Sequence, residues 1–580
     1  MTLFTDLQAT LALTQQERYK AALKSARAGM RRHKKHPDFP NFAAVALCSL
    51  GKKREAIPLY QKALALDPQF HKARRNLGMA LVDIDQDEKA IKVLTKAVKN
   101  DPKDERSWMH LALAKRNLGD FEGAMEAVAK VLAISPQKED ALMLNADILD
   151  KADHISAALD AGRKALKIVP SNMVLLKLTA KLLSAQGMTD EALSLRHQAV
   201  ALNPQRTDTL KALATQLLNL GRQEECRQVS LNVLKLDPTS FGSMEQLSLF
   251  QTKEQNAELR ETLLSALAAT KPQGPGRTSI LFALAHIDRR AGETSSADGY
   301  YAQANRETAL LTPYDGDQQA LLTNNIISRY PGPMISESQT FPDPRPIYVV
   351  GLPRSGTTLT EVTLGAHPDV TPLGERKISK ALATAFLNDL PLGPNELKEL
   401  VDRQQENLPP LPADTRAYVD KMPENYRYIG VLKSAFGNAR FINLRRDPRD
   451  VALSQWHGHF EKGAITYSYD LKAMAHQFNL YAEIMAHWHK VMPGEILDLS
   501  YEDLVSDIET STKNIAEHCG LDWTPSMAQP HKHAGQVRTM SLHQVRQPVH
   551  SRSVRKWVKY EEMLAPFVAE LDPNLWPEIR

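Results

Sequence analysis

Small and apolar residues recur along the first 240 positions at a fixed spacing, with polar stretches between them. Alanines stand at 22, 56, 90, 124, 158 and 192, each 34 residues after the last, and Cys226 takes the next slot. A second phase runs through Ala63, Ala97, Val131, Ala165, Ala199 and Val233. Prolines keep the same interval at 68, 102, 136, 170, 204 and 238. Three registers in agreement over six or seven turns predict one repeated unit of two antiparallel helices. The small residues meet where the helices cross closely, and proline punctuates the turn before the next pair.

The array resembles the tetratricopeptide repeat over roughly residues 3–240. Leu77 and Gly78 match that family's Leu-Gly step, whereas Ala44 and Ala214 stand where glycine is usual. A degenerate continuation through Phe282, Ala297 and Tyr301 reads as one or two capping units before residue 310. Such arrays stack into a superhelix whose concave face holds extended peptide, so a peptide or protein ligand is expected. An assembly platform, with homo-oligomerisation, is the other expectation.

Between about 311 and 345 the helical period fades. TPYDGD, RYPGPM and FPDPRP are rich in Pro, Gly and Asp and predict turns and a connector. Short apolar runs then alternate with helical stretches: PIYVV from 346, RFINL at 440–444 and EILDLSYEDL at 495–504. That alternation predicts an α/β domain on a mostly parallel sheet. Residues 391–415, with PLGP and LPPLPAD, read as a surface excursion. The expected organisation is multidomain: an all-α repeat array at 1–310, a connector at 311–345 and an α/β domain at 346–580.

Bulk composition narrows the function classes only a little. Lys plus Arg is 72 against 68 for Asp plus Glu, a balance of +4 over 580 residues. That gives no general argument for nucleic-acid or membrane-surface binding, and neither is expected. The basic run from Arg31 to Lys35 reads as a solvated helix end. Cys48, Cys226 and Cys519 are too few and too far apart for a disulfide framework or a zinc site. The first twenty residues lack a basic segment followed by a small-residue cleavage site, and no apolar run approaches the ~20 residues that span a bilayer. A soluble, cytoplasmic protein is expected.

Chemistry concentrates in two segments of the α/β domain. Ile347 to Val350 suits a buried parallel strand, Gly351 and Pro353 break it, and a helix start follows at Thr358. A strand, a glycine-containing loop and a helix N-terminus aim backbone N–H groups at an anion. An NTPase would carry lysine at position 357, where Thr357 stands, and Arg354 lies inside the loop. That points away from ATP hydrolysis. The second segment, ARFINLRRDPRDVALSQW at 439–456, ends its strand in Arg445 and Arg446, where an NTPase usually has a metal-holding Asp. Asp447 and Pro448 then read as N-cap and N1 of a helix bearing Ser454. Guanidinium at that place suits a second phosphate.

A strand followed by P-R-S-G-T-T, then a strand followed by R-[DN]-P-x-D-x-x-x-S, resembles the sulfotransferases that use 3′-phosphoadenylyl sulfate (PAPS). GERK at 374–377, DKMPENY at 420–426 and QPVHSRSVRKWVKYEE at 547–562 are similar to that family too, nearest its protein-tyrosine sulfotransferase branch. The resemblance implies a P-loop-like fold and sulfuryl transfer from PAPS, with no metal required. It implies that Arg354, Ser355, Gly356, Thr357 and Thr358 wrap the 5′ end of the donor, and that Arg446 and Ser454 take the 3′-phosphate. By the same resemblance Ser553 and Lys556 would reach the nucleotide from the C-terminal segment, where Ser553-Val554-Arg555-Lys556-Trp557 replaces the usual Ser-x-Gly-Arg-Trp and leaves Arg555 as the alternative contact. Arg354 and Lys421 would stabilise the leaving group, and Glu375 would take the acceptor proton, with His457 or His459 as the rival base. The acceptor is a peptide tyrosine presented by the array, a carbohydrate or a small metabolite. A nucleotide-binding scaffold without catalysis is the remaining alternative.

Overall fold

The computed structural model describes residues 2–274, 276–331, 344–376, 394–460, 465–532 and 547–579. By contact the chain divides into two compact units, Met1–Leu183 and Ser184–Arg580. Helical pairs fill the first unit and continue into the second. Each periodic proline falls two residues beyond a helix end: Lys53–Leu66 precedes Pro68, Asp87–Asn100 precedes Pro102, and Gln223–Leu236 precedes Pro238. The residue before proline is pushed out of helical geometry, so the helix stops there. The periodic alanines are buried, as are Val131, Cys226 and Val233. A further register runs through Ala44, Gly78, Ala112, Ala146, Ala180 and Ala214, all buried. At Gly78 even a methyl group would come within 2.4 Å of Leu94, which explains glycine in that unit.

The second unit joins the last repeats to an α/β domain. Five parallel strands are described: β1 (Arg345–Gly351), β2 (Val370–Pro372), β3 (Ala417–Asp420), β4 (Arg440–Arg445) and β5 (Ile496–Ser500), in spatial order β2-β3-β1-β4-β5. Ile347 and Val349 on β1 pack into one core with Leu364, Ile442 and Ile515. Tyr348 and Val350 point into the other, with Phe441, Tyr426, Phe478 and Trp488. Burial on both faces is why β1 reads as an unbroken apolar run rather than an alternating one.

Part of the expected connector is a helix, Gly316–Arg329, capped by Asp315, whose carboxylate accepts from Gln318 N at 2.9 Å. Its Ile326 enters the α/β core. Only two of its apolar side chains face that core, too sparse a stripe to stand out from sequence. The excursion at 391–415 likewise contains a helix, Pro394–Glu406. Residues 332–343 of the connector, and 391–393 of the excursion, lie outside the described residues. Among the described residues no helix is long and apolar enough to cross a membrane.

Candidate functional site: an anion pocket at the strand ends

β1 is the centre of the sheet, and the chain builds β2 and β3 on one side before crossing to β4 and β5 on the other. Ligands of open α/β sheets bind where the strand order reverses, outside the carboxyl ends of the strands. Here that crevice lies past Gly351 and Arg445. The loop after β1 leads into the helix Thr357–Gly365 through two residues with positive φ, Arg354 at 75° and Gly356 at 112°. At Gly356 a side chain would strike the Tyr501 ring at 2.5 Å, so only glycine fits. A non-glycine residue such as Arg354 in that region costs energy and is found where function needs it.

The described pocket is lined by Arg354, Gly356 and Thr358 from the cradle, Arg446 and Ser454 from the second segment, and Ser553 and Lys556 from the C-terminal segment. Arg354 Nε donates to Ser454 Oγ at 3.0 Å, which joins the two cradles directly. Burial, then the guanidinium groups of Arg446 and Arg289, bring the Arg354 pKa down to about 10, which leaves it charged at neutral pH. Arg446 lies 4.4 Å over the Tyr501 ring and donates to Arg354 O at 3.3 Å and Ser553 O at 2.5 Å. Its remaining donor, Nε, is buried without a hydrogen-bond partner among the described residues, and so is Ser355 Oγ. Buried polar groups without partners are costly, and an anion with several acceptor oxygens would satisfy both. Thr357 is buried at the helix start.

The helix Pro448–Trp456 starts as expected, with Asp447 accepting from Arg449 N at 2.9 Å and Pro448 in the first turn. Arg445 leaves the pocket to pair with Glu578 at 2.9 Å, so only the second arginine of the pair faces the anion site. Asp450 had no assigned role from sequence. Its carboxylate accepts Arg555 N at 2.7 Å and Trp557 N at 3.0 Å, which pins the C-terminal segment over the pocket. Burial raises its pKa, against Arg446 and those two N–H groups. Arg555 adopts φ 58°, the conformation a glycine would take, and its side chain lines a different cavity from Lys556. Burial, then Arg289 and Arg446, lower the Lys556 pKa.

Glu375 and Lys421 are not in this pocket. They meet each other at the ends of β2 and β3, with Lys421 Nζ 2.5 Å from Glu375 Oε1 and 4.0 Å from Glu361 Oε2. Lys421 is 1% exposed, whereas Glu375 is 43% exposed and reachable from solvent. Arg376, beside Glu375, donates to Asn407 O at 2.6 Å and to Gln186 Oε1 at 3.3 Å, and the Gln186 amide donates to Asn407 O at 3.0 Å. Burial lifts the Asp420 pKa to about 7, opposed by Arg376. Lys377, the last residue of the GERK segment, lies outside the described residues.

The two rival histidines diverge. His457 lines the pocket, and burial, then Arg289, His286 and Lys556, hold its pKa well below the ordinary value, so the imidazole is neutral at pH 7. His459 stacks on Phe282 at 4.4 Å and pairs with Glu245 at 2.8 Å, outside the pocket lining. Among the described residues no group of three or more His, Cys, Asp or Glu side chains is placed to hold a metal ion.

Residues 346–525 match the Sulfotransferase family, and residues 7–69, 50–114 and 105–138 match tetratricopeptide repeats. An uncharacterized protein of Aquifex aeolicus (strain VF5) is 29% identical over 58% of this chain, an alignment that spans 46% of that protein. A putative protein-tyrosine sulfotransferase of Caenorhabditis briggsae is 24% identical over 36% of this chain and 80% of its own length. Protein-tyrosine sulfotransferase 2 of Gallus gallus is 26% identical over 40% of this chain and 70% of its own length.

Proposed function

From a chain that carries a sulfotransferase domain behind tetratricopeptide repeats, we propose that it moves a sulfuryl group from PAPS to the hydroxyl of a tyrosine in a peptide or protein held by the array. The observation that carries the donor is the pocket itself. Arg354, Arg446 and Lys556 converge on one cavity whose only lining carboxylate among the described residues, Asp450, is already engaged by two backbone N–H groups and by Arg446 at 3.8 Å. Arg446, which lines it, has a buried Nε without a partner among the described residues, and the Ser355 hydroxyl beside the cradle is likewise buried and unpartnered. A nucleotide phosphorylated at both its 5′ and 3′ ends fits that donor set.

When bound, PAPS supplies the sulfuryl group and a bisphosphate leaving group. Arg354 is fixed by Ser454, so its charge is in place before negative charge develops on the departing oxygen. Such preorganised charge lowers the barrier without reorganising at the moment of reaction. Glu375, held by Lys421 and open to solvent, accepts the acceptor's proton. A phenol with a pKa near ~10 is easier to deprotonate than a sugar alcohol, and two relatives bear the name protein-tyrosine sulfotransferase. Both considerations favour a tyrosine acceptor.

Incubation with radiolabelled PAPS and a panel of tyrosine peptides, sugars and small phenols tests the proposal. Label should enter a tyrosine peptide with the wild type, and Arg354→Ala should abolish it. Transfer confined to sugars or metabolites would overturn the acceptor. Turnover of ATP in preference to PAPS would overturn the donor.

A further inference from the structure

One wall of the proposed donor pocket comes from the helices that precede the α/β domain, the expected capping units of the repeat array. Arg289, on the helix Arg277–Ala291, lies outside the span matched to the Sulfotransferase family, yet it lines the same cavity as Arg354, Arg446, Ser454 and Lys556. A packed joint fixes that helix and the next, Thr294–Leu311, against the end of the helix carrying Ser454. Phe282 stacks on His459 at 4.4 Å, and Tyr301 packs on His457 at 4.4 Å. Asn305 donates its side-chain amide to Trp456 O at 2.9 Å, and Glu245 holds His459 at 2.8 Å. Each contact falls within a few residues of Ser454. Arg289 therefore stands on a rigid base while its own side chain remains exposed to the cavity.

The electrostatics of the pocket call for a further anionic partner there. Among the described residues neither Arg289 nor Lys556 forms an ion pair, though Asp298 lies in the field of Arg289 and Lys556 in that of Asp450. After burial, Arg289 is the largest of the positive charges that lower the pKa of both His457 and Lys556. Like charges gathered in one cavity repel until an anion joins them. His457 and Lys556 lie on the Ser454 side, where the 3′-phosphate is assigned.

We propose that Arg289 is a donor-binding residue supplied by the repeats, pairing with the 3′-phosphate of the nucleotide beside Lys556. This rests on the donor reading above and extends it: the repeats complete the nucleotide site as well as carrying a partner. A sulfotransferase domain with every motif intact would bind its donor weakly if this one array side chain were lost.

Binding of adenosine 3′,5′-bisphosphate and of adenosine 5′-monophosphate to the full chain, followed by calorimetry, separates the possibilities. Wild type should prefer the bisphosphate. Arg289→Ala should weaken the bisphosphate at least about tenfold and the monophosphate by less than about twofold. Arg289→Lys should recover part of the loss, because it keeps the charge. Arg290→Ala, on the neighbouring side chain that reaches Leu249 O, should bind both like wild type. Bisphosphate affinity unchanged in both Arg289→Ala and Arg289→Lys overturns the role of Arg289 while leaving the donor reading intact. A wild type that does not prefer the bisphosphate overturns that reading, and this inference with it.

Discussion

The two sides of the sheet's carboxyl edge are prepared in opposite ways. Past β1 and β4, cations converge on a cavity, and among the described residues Arg446 Nε there and Ser355 Oγ in the adjoining cradle are buried without a partner. Past β2 and β3, opposite charges satisfy each other, with Lys421 held between Glu375 and Glu361. The first side presents a buried donor, Arg446 Nε, without a partner among the described residues, as the proposed anion would require. The second is already compensated, so under the proposed role of Glu375 a substrate hydroxyl would compete with Lys421 for its carboxylate. The donor side should therefore govern binding, and the opposite side should govern rate.

The largest expected effect tests the second half of that contrast. Glu375→Gln keeps an oxygen for Lys421 but cannot take a proton, so kcat should fall by about 10²- to 10⁴-fold. Bisphosphate affinity should not move. An unchanged kcat would transfer the base role to the neutral His457 in the donor pocket. Next, Arg446→Ala removes the contacts to Arg354 O and Ser553 O as well as the unpaired Nε. Bisphosphate affinity should drop by about 10- to 100-fold, the size of a lost charge-assisted hydrogen bond. A comparable loss in Glu375→Gln would erase the contrast between the two sides.

A pH experiment probes the compensated side without any substrate. Asp420 is buried, and its pKa of about 7 lies above that of an unfolded aspartate. The folded chain thus holds this proton more tightly than the unfolded chain does. Its contribution to stability is complete below about pH 4 and is lost as pH rises toward about 7. Asp420→Asn should flatten that segment of the stability profile in chemical denaturation, and a profile parallel to wild type would contradict the burial argument. The smallest effect belongs to Gln186→Ala. Loss of its bonds to Arg376 and Asn407 should raise the acceptor KM about two- to tenfold and leave donor affinity alone.

The same contrast explains what the sequence could disclose. β1, β4 and β5 were legible because each carries a short apolar cluster, Ile347 to Val350, Phe441, Ile442 and Leu444, and Ile496, Leu497 and Leu499. The Asp447 cap and the proline-bounded helix pairs were legible because each is decided within a few neighbouring residues. β2 and β3 were not, being three and four residues long, too short for a period to show. Of the site, the residues in cradle motifs could be read, since loop and helix start are contiguous in the chain. Asp450 sat in a quoted motif, but its partners Arg555 and Trp557 lie more than a hundred residues away. Arg289 and Gln186 had no local signal at all, because in the sequence an arginine or glutamine in a helical repeat reads like any solvated one, although Gln186 is in fact buried. Only the packing of Phe282, Tyr301 and Asn305 against the helix end near Ser454 gives Arg289 its place.

Sulfate transfer from PAPS and from the same donor lacking the 3′-phosphate, compared as kcat/KM on one tyrosine peptide, tests the account most directly. Arg446, Ser454 and Lys556 line one cavity, and on the proposed placement of the 3′-phosphate among them its removal should cost at least about a hundredfold, corresponding to two charge-assisted hydrogen bonds. Equal kcat/KM for the two donors would contradict it.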